Sequence, residues 1–158
     1  YLPQVIREPD NLELRAYTML ASMHAGLAFS NASLGAVHAM AHSLGGFLDL
    51  PHGMCNALLL PSVINFNYSG SSDRYDVICS MFGNELAGKK PAERKELLLH
   101  SLSAFYQSIG FQGCLSDIGV TKEHIIKLTE KAMKDACMVT NPRTACMDDI
   151  IMIYESAL

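Results

Sequence analysis

Apolar residues along this chain recur at spacings of three, four and seven, and nowhere alternate over a convincing length. That period calls for helices and leaves no segment that reads as a strand. From Asp10 or Asn11, Leu12, Tyr17, Leu20, Leu27 and Ala28 mark one amphipathic helix. A second runs from about Ser33 through His42, and Gly45-Gly46 is expected to loosen or end it. Pro51 suits the first position of a third, whose apolar face includes Leu58, Leu59 and Val63. Ser71, Ser72 or Asp73 caps a fourth that stops near Gly83. Pro91 opens a fifth that reaches Gly110, and Thr121 caps a sixth that extends to about Met138. "TNPR" then breaks the chain before a last helix from about Met147 to Ala157. The expectation is an all-α domain over residues 1–158, a bundle of about seven helices without internal repeat or low-complexity linker.

Composition narrows the function. A chain of 158 residues, 49% of them hydrophobic, is long enough for one real core. A net charge of -4 lacks the basic footprint that nucleic-acid binding needs. The most apolar stretch, "CNALLLPSVINF", is interrupted by Asn56, Pro61 and Asn65 and falls short of the roughly 18 residues of a membrane span, so it reads as a buried helix. Five cysteines, an odd number without a C-x-x-C pair, suit reduced core residues of a cytoplasmic protein better than a disulfide or zinc framework. The first residue is Tyr1, and no charged segment followed by an apolar one precedes the helices, which reads as a piece of something longer.

Three of the six histidines, His38, His42 and His52, lie in "NASLGAVHAMAHSLGGFLDLPHG". On a helix, residues four apart differ by about 40° in direction, so His38 and His42 face one way. His52 would lie about 21 Å from His38 on one straight helix, too far to share an ion. A shared site therefore requires the chain to fold back, and Gly45, Gly46 and Pro51 are residue types that permit it. Spacing alone does not separate such a site from surface histidines. Glu96 and His100 have the same spacing on what looks like an exposed, charged face. His24 and His124 have no partner and read as ordinary helix residues.

The run "GAVHAMAHSLGGFLDLPHGMCNALLLPSVINFN" closely resembles the signature of the iron-dependent (group III) alcohol dehydrogenases, G-x-x-H-x-M-A-H-x-L-G followed by P-H-G-x-x-N-A-x-L-L-P. "SMHAGLAFSNA" before it, and "LSDIGVTKEHI" and "DACMVTNPR" after it, are similar to the same family. The resemblance covers the whole chain but only the helical C-terminal half of such enzymes. It implies that His38 and His52 are ligands of the catalytic metal, ferrous iron (Fe2+), or Zn2+ in some relatives. His42 would lie beside the metal towards a nicotinamide, orienting the substrate oxygen or relaying its proton, with a packing role as the equal alternative. Gly45 and Gly46 would shape the turn, and Pro51 and Gly53 would frame the start of the helix that carries His52.

The family completes its metal site with an upstream D-x-x-x-H pair and cradles its cofactor with G-G-G-S, and this chain holds neither. NAD or NADP would be bound mainly by that missing N-terminal domain, and the resemblance assigns no cofactor-binding residue here. It implies an NAD(P)-linked enzyme interconverting a small alcohol and its aldehyde or ketone, cytoplasmic and homo-oligomeric, for instance a dimer. Met40, Phe47, Leu48 and Leu50 are candidates for one wall of the substrate pocket, or core. A stand-alone, non-catalytic helical metal-binding or interaction domain is the competing reading. A polyol-dehydrogenase or dehydroquinate-synthase-like enzyme fits the H-A-M-A-H and P-H-G wording less well.

Overall fold

A computed structural model describes residues 1–158 as eight α-helices without strands. They are α1 (Leu2–Arg7), α2 (Leu12–Ala32), α3 (Ala36–Leu48), α4 (His52–Asn67), α5 (Ser72–Met81), α6 (Pro91–Ser108), α7 (Lys122–Ala132) and α8 (Met147–Ser156). The all-α expectation holds, with α1 added ahead of the helices read from the sequence. Local chemistry starts several of them. Asn11 accepts the Leu14 N–H at 3.3 Å ahead of α2, and Glu93 reaches back to the Lys90 N–H at 2.6 Å ahead of α6. Asp149 does the same for Cys146 at 2.9 Å ahead of α8.

The main core forms where α3, α4, α7 and α8 meet, around Met40, Leu44, Cys55, Leu59, Leu128, Ile150 and Tyr154. A smaller cluster of Ile64, Tyr68, Cys79, Leu98 and Leu102 joins α4 to α5 and α6. Within the first core Tyr154 donates its hydroxyl to the Met40 carbonyl at 2.9 Å. Ser43 donates to the Leu128 carbonyl at 2.6 Å. Both bonds are buried and hold α3, the helix that carries two of the histidines, in one rotational setting.

Four expectations need correction. Helix α3 passes through Gly45-Gly46 and ends only at Leu48. Burial of Leu44 and the packing of Phe47 and Leu48 on the core outweigh the roughly 1 kcal/mol that each glycine costs a helix. The reversal is made instead by Asp49, left-handed at φ 56° and ψ 41°, whose N–H bonds back to the Gly45 carbonyl at 3.0 Å. Second, the α2 pattern does not mark a buried face. No residue of α2 is buried, and Leu12, Met19, Met23, Leu27 and Phe29 are exposed. Third, α7 stops at Ala132, and a 3-10 stretch at Ala136–Thr140 takes over, capped by Asp135. Fourth, only Cys55 and Cys79 are core cysteines. Cys114 and Cys137 are half-buried and Cys146 is exposed, all as free thiols.

The "TNPR" break does more than interrupt. Asn141 Oδ1 accepts from the Ala36 N–H at 3.0 Å, supplying the N-terminal cap that Gly35 cannot. The same side chain exchanges two hydrogen bonds of 2.8 Å with the buried amide of Asn67 on α4. The clamp thereby ties the start of α3 to the end of α4. We expect Asn141→Ala to destabilise the protein by about 3 kcal/mol, because the Asn67 amide and the Ala36 N–H both lose partners in a dry setting. Urea unfolding followed by circular dichroism checks this, and a loss under about 1 kcal/mol refutes the clamp.

Candidate metal centre

His38 and His42 stand one turn apart on α3, and His52 is the first residue of α4, which Pro51 starts at φ -60°. The reversal at Asp49 lays α4 back along α3. Ring centroids are then 5.4 Å apart for His38 and His52, 5.3 Å for His42 and His52, and 6.0 Å for His38 and His42. With metal–nitrogen bonds of about 2.1 Å and a tetrahedral angle, two imidazoles sharing one cation have centroids about 5.3 Å apart. The fold-back required of His52 is present, and both pairs that include His52 have this separation.

The surroundings of the three rings differ. His38 is half-buried, and burial, with the neighbouring His52 and His42 adding to it, lowers its pKa below the usual imidazole range. A neutral ring is the form that offers a lone pair to a cation. His52 is exposed, and the Asn56 amide, one turn along α4, donates to its Nε2 at 3.0 Å. In a neutral ring this contact makes Nε2 the lone-pair nitrogen and Nδ1 the protonated one, so a cation at His52 would take Nε2 in place of the Asn56 amide. Asn56 Oδ1 is buried without a hydrogen-bond partner. An orphaned polar atom beside a candidate ligand fits a centre whose remaining donors come from elsewhere.

His42 is engaged differently. Its Nδ1 lies 2.9 Å from Asp135 Oδ2, on the turn after α7. The other carboxylate oxygen, Oδ1, accepts the Cys137 N–H at 2.8 Å. Burial works to raise the Asp135 pKa, but the hydrogen bonds from Cys137 and His42 outweigh it and hold the carboxyl below its ordinary range. Burial raises the Cys137 thiol, with Asp135 beside it adding to the effect, so the group stays protonated. Ligand-type atoms of His42, Asp135 and Cys137 lie within 4.8 Å of one another, the one such trio in the molecule.

Asn56, Asp135 and Cys137 are the site neighbours that reading the sequence did not single out. Asn56 follows His52 by one helical turn, a usable signal. Asp135 and Cys137 sit over ninety residues from His42 in a segment without periodicity, and only the packing of α7 on α3 brings them near. Of the proposed pocket wall, Met40 is fully buried core. Phe47 packs edge-on against His124 at 5.7 Å, beneath the Lys127 ammonium at 4.5 Å. His124 is itself a cap, its Nδ1 accepting the Thr121 N–H at 3.2 Å. The best-formed apolar cavity, about 520 Å³ between the start of α3 and helices α4, α5 and α6, contains none of the three histidines.

The chain as a whole is similar to known proteins. The model of the C-terminal region of the Fe-containing alcohol dehydrogenase family matches residues 1–158. The NAD-dependent methanol dehydrogenase of Bacillus methanolicus is 33% identical over 158 residues, all of this chain and 42% of that protein. The 1,3-propanediol dehydrogenase of Citrobacter freundii is 36% identical over 156 residues, 99% of this chain and 40% of that one. The crystal structure of a 1,3-propanediol oxidoreductase superposes with a TM-score of 0.93 at 35% identity, covering 99% of this chain and 41% of that chain. The chain thus spans about two fifths of the length of these relatives. It belongs to the Fe-containing alcohol dehydrogenase family and corresponds to that family's helical C-terminal domain.

Proposed function

We propose that this chain is the C-terminal part of a metal-dependent, NAD(P)-linked alcohol dehydrogenase that interconverts a small alcohol and its aldehyde or ketone. The observation that carries the reading is the convergence of His38 and His52, fourteen positions apart in order, to 5.4 Å between ring centroids. In this reading the two imidazoles hold ferrous iron or zinc, with further donors from a preceding domain. The His38 ring, which burial holds towards its neutral form, and the orphaned Asn56 amide oxygen fit a borderline divalent cation. When bound, the ion supplies Lewis acidity at the substrate oxygen and the nicotinamide supplies the hydride exchange.

The chain's own residues then divide the work. His38, buried on its core side, and His52, placed by the Asp49 turn, fix the position of the ion. His42, a turn along α3 and exposed over 40% of its side chain, orients the substrate oxygen and holds or passes its proton. The exposed apolar row on α2 supports a further segment of the same polypeptide packing there, the one that carries the nucleotide site. Free thiols suit the cytoplasm, and no helix is long and apolar enough to cross a membrane. A homo-oligomer is the assembly this reading favours.

The natural polypeptide, loaded with iron or zinc and given NADH or NADPH, is expected to reduce short aldehydes. No turnover over a panel of C1 to C4 aldehydes with either metal and either cofactor sinks the proposal. Residues 1–158 expressed alone are expected to bind divalent metal weakly and to show no dehydrogenase activity, because two imidazoles furnish half of a four-ligand site and no compensating carboxylate. Tight one-to-one binding in titration calorimetry instead favours a stand-alone metal-binding domain.

A further inference from the structure

We infer that Asp135 is a positioning residue for His42, fixing the imidazole in the tautomer that carries its proton on Nδ1 and leaves Nε2 as the unprotonated acceptor. The inference rests on the proposed role of His42 at the substrate oxygen and adds the group that makes that role possible. An imidazole free in solution exchanges between two tautomers, and only one of them presents a lone pair at a given nitrogen. Here the choice is made by the carboxylate 2.9 Å from Nδ1.

Asp135 is itself held for this task. It caps the 3-10 stretch at Ala136–Thr140, and its Oδ1 is committed to the Cys137 N–H at 2.8 Å. That leaves Oδ2 aimed at the ring. The Asp135 side chain is 22% exposed and that of His42 40%, so the carboxylate is the more enclosed partner of a bond that lies at the surface of the chain. The same atoms compete poorly as a second metal site. Both carboxylate oxygens already accept hydrogen bonds, and the Cys137 sulfur keeps its proton.

The arrangement makes Asp135→Asn a sharp probe. The Cys137 N–H needs an acceptor, so the new amide must turn its oxygen to Cys137 and its NH2 to His42. Nδ1 then becomes an acceptor and the ring proton moves to Nε2, with almost no change in shape. A misplaced imidazole proton of this kind disables a catalytic histidine whose geometry is intact.

The test uses the natural polypeptide, zinc-loaded and labelled with 15N-histidine, with the His42 signals assigned by their loss in His42→Gln. The wild type is expected to show a protonated Nδ1, and Asp135→Asn a protonated Nε2. Metal content and KM stay within about twofold, while kcat falls by at least about 100-fold. A wild-type ring protonated on Nε2, or a variant in which the tautomer does not switch, overturns the inference. The wild-type spectrum alone decides the matter if the variant fails to fold. A switch in tautomer with kcat unchanged upholds the positioning and overturns the proton-handling role of His42 instead.

Discussion

His52→Ala in the natural polypeptide is expected to lose bound metal and dehydrogenase activity together. In the proposed site His52 is one of two imidazole ligands, so its removal deletes a bond to the metal. Asn56, the residue in contact with His52 Nε2, can donate from its amide nitrogen but brings only a weak neutral oxygen donor to a cation. Loss of even an outer hydrogen-bond partner of a ligand costs 10- to 100-fold, so loss of the ligand itself is expected to lower activity by more than about 100-fold. Folding is not expected to suffer, since His52 is an exposed first residue of α4 and contributes nothing to either hydrophobic cluster. Metal per protomer, measured by elemental analysis beside an unchanged circular dichroism spectrum, checks the outcome. Retention of stoichiometric metal points away from His52 and towards the trio of His42, Asp135 and Cys137.

His42→Ala separates binding from chemistry. Metal content is expected to remain near that of the wild type while kcat falls by about 100- to 10,000-fold, the usual span for a lost general acid–base group. Two features support this division. His42 already has a partner for Nδ1 in Asp135, whereas His38 is directed to no carboxylate at hydrogen-bond distance. Burial also holds the His38 ring towards its neutral, lone-pair form, the form a cation needs. If His42→Ala strips the metal as thoroughly as His52→Ala does, the i, i+4 pair on α3 is the ligand pair and the proton-handling role falls.

Much of the scaffold was legible because its signals are local. Pro91 and Gly110 bracket α6, Thr121 precedes α7, and "TNPR" separates the last two helices, since each acts through the dihedral angles of its own neighbourhood. The Gly45-Gly46 pair misled for the same reason in reverse. Glycine weakens a helix by a small local amount, and the packing of Leu44, Phe47 and Leu48 on distant helices exceeds it. Helix α2 misled because its apolar periodicity implies a partner face that residues 1–158 do not supply.

For a site shared by His38 and His52, the residue order alone called for a reversal between them, because bond lengths of about 2 Å cannot be satisfied across a straight helix. Which residue makes the reversal, and which third group addresses His42, was decided by the tertiary structure. Asp49 takes the left-handed turn only because α4 must return along α3 to bury Cys55 and Leu59. Asp135 meets His42 across 93 positions of chain because α7 packs against α3. Periodicity records the preferences of neighbours along the chain, whereas a contact over such a distance exists only once the apolar faces between its ends have closed.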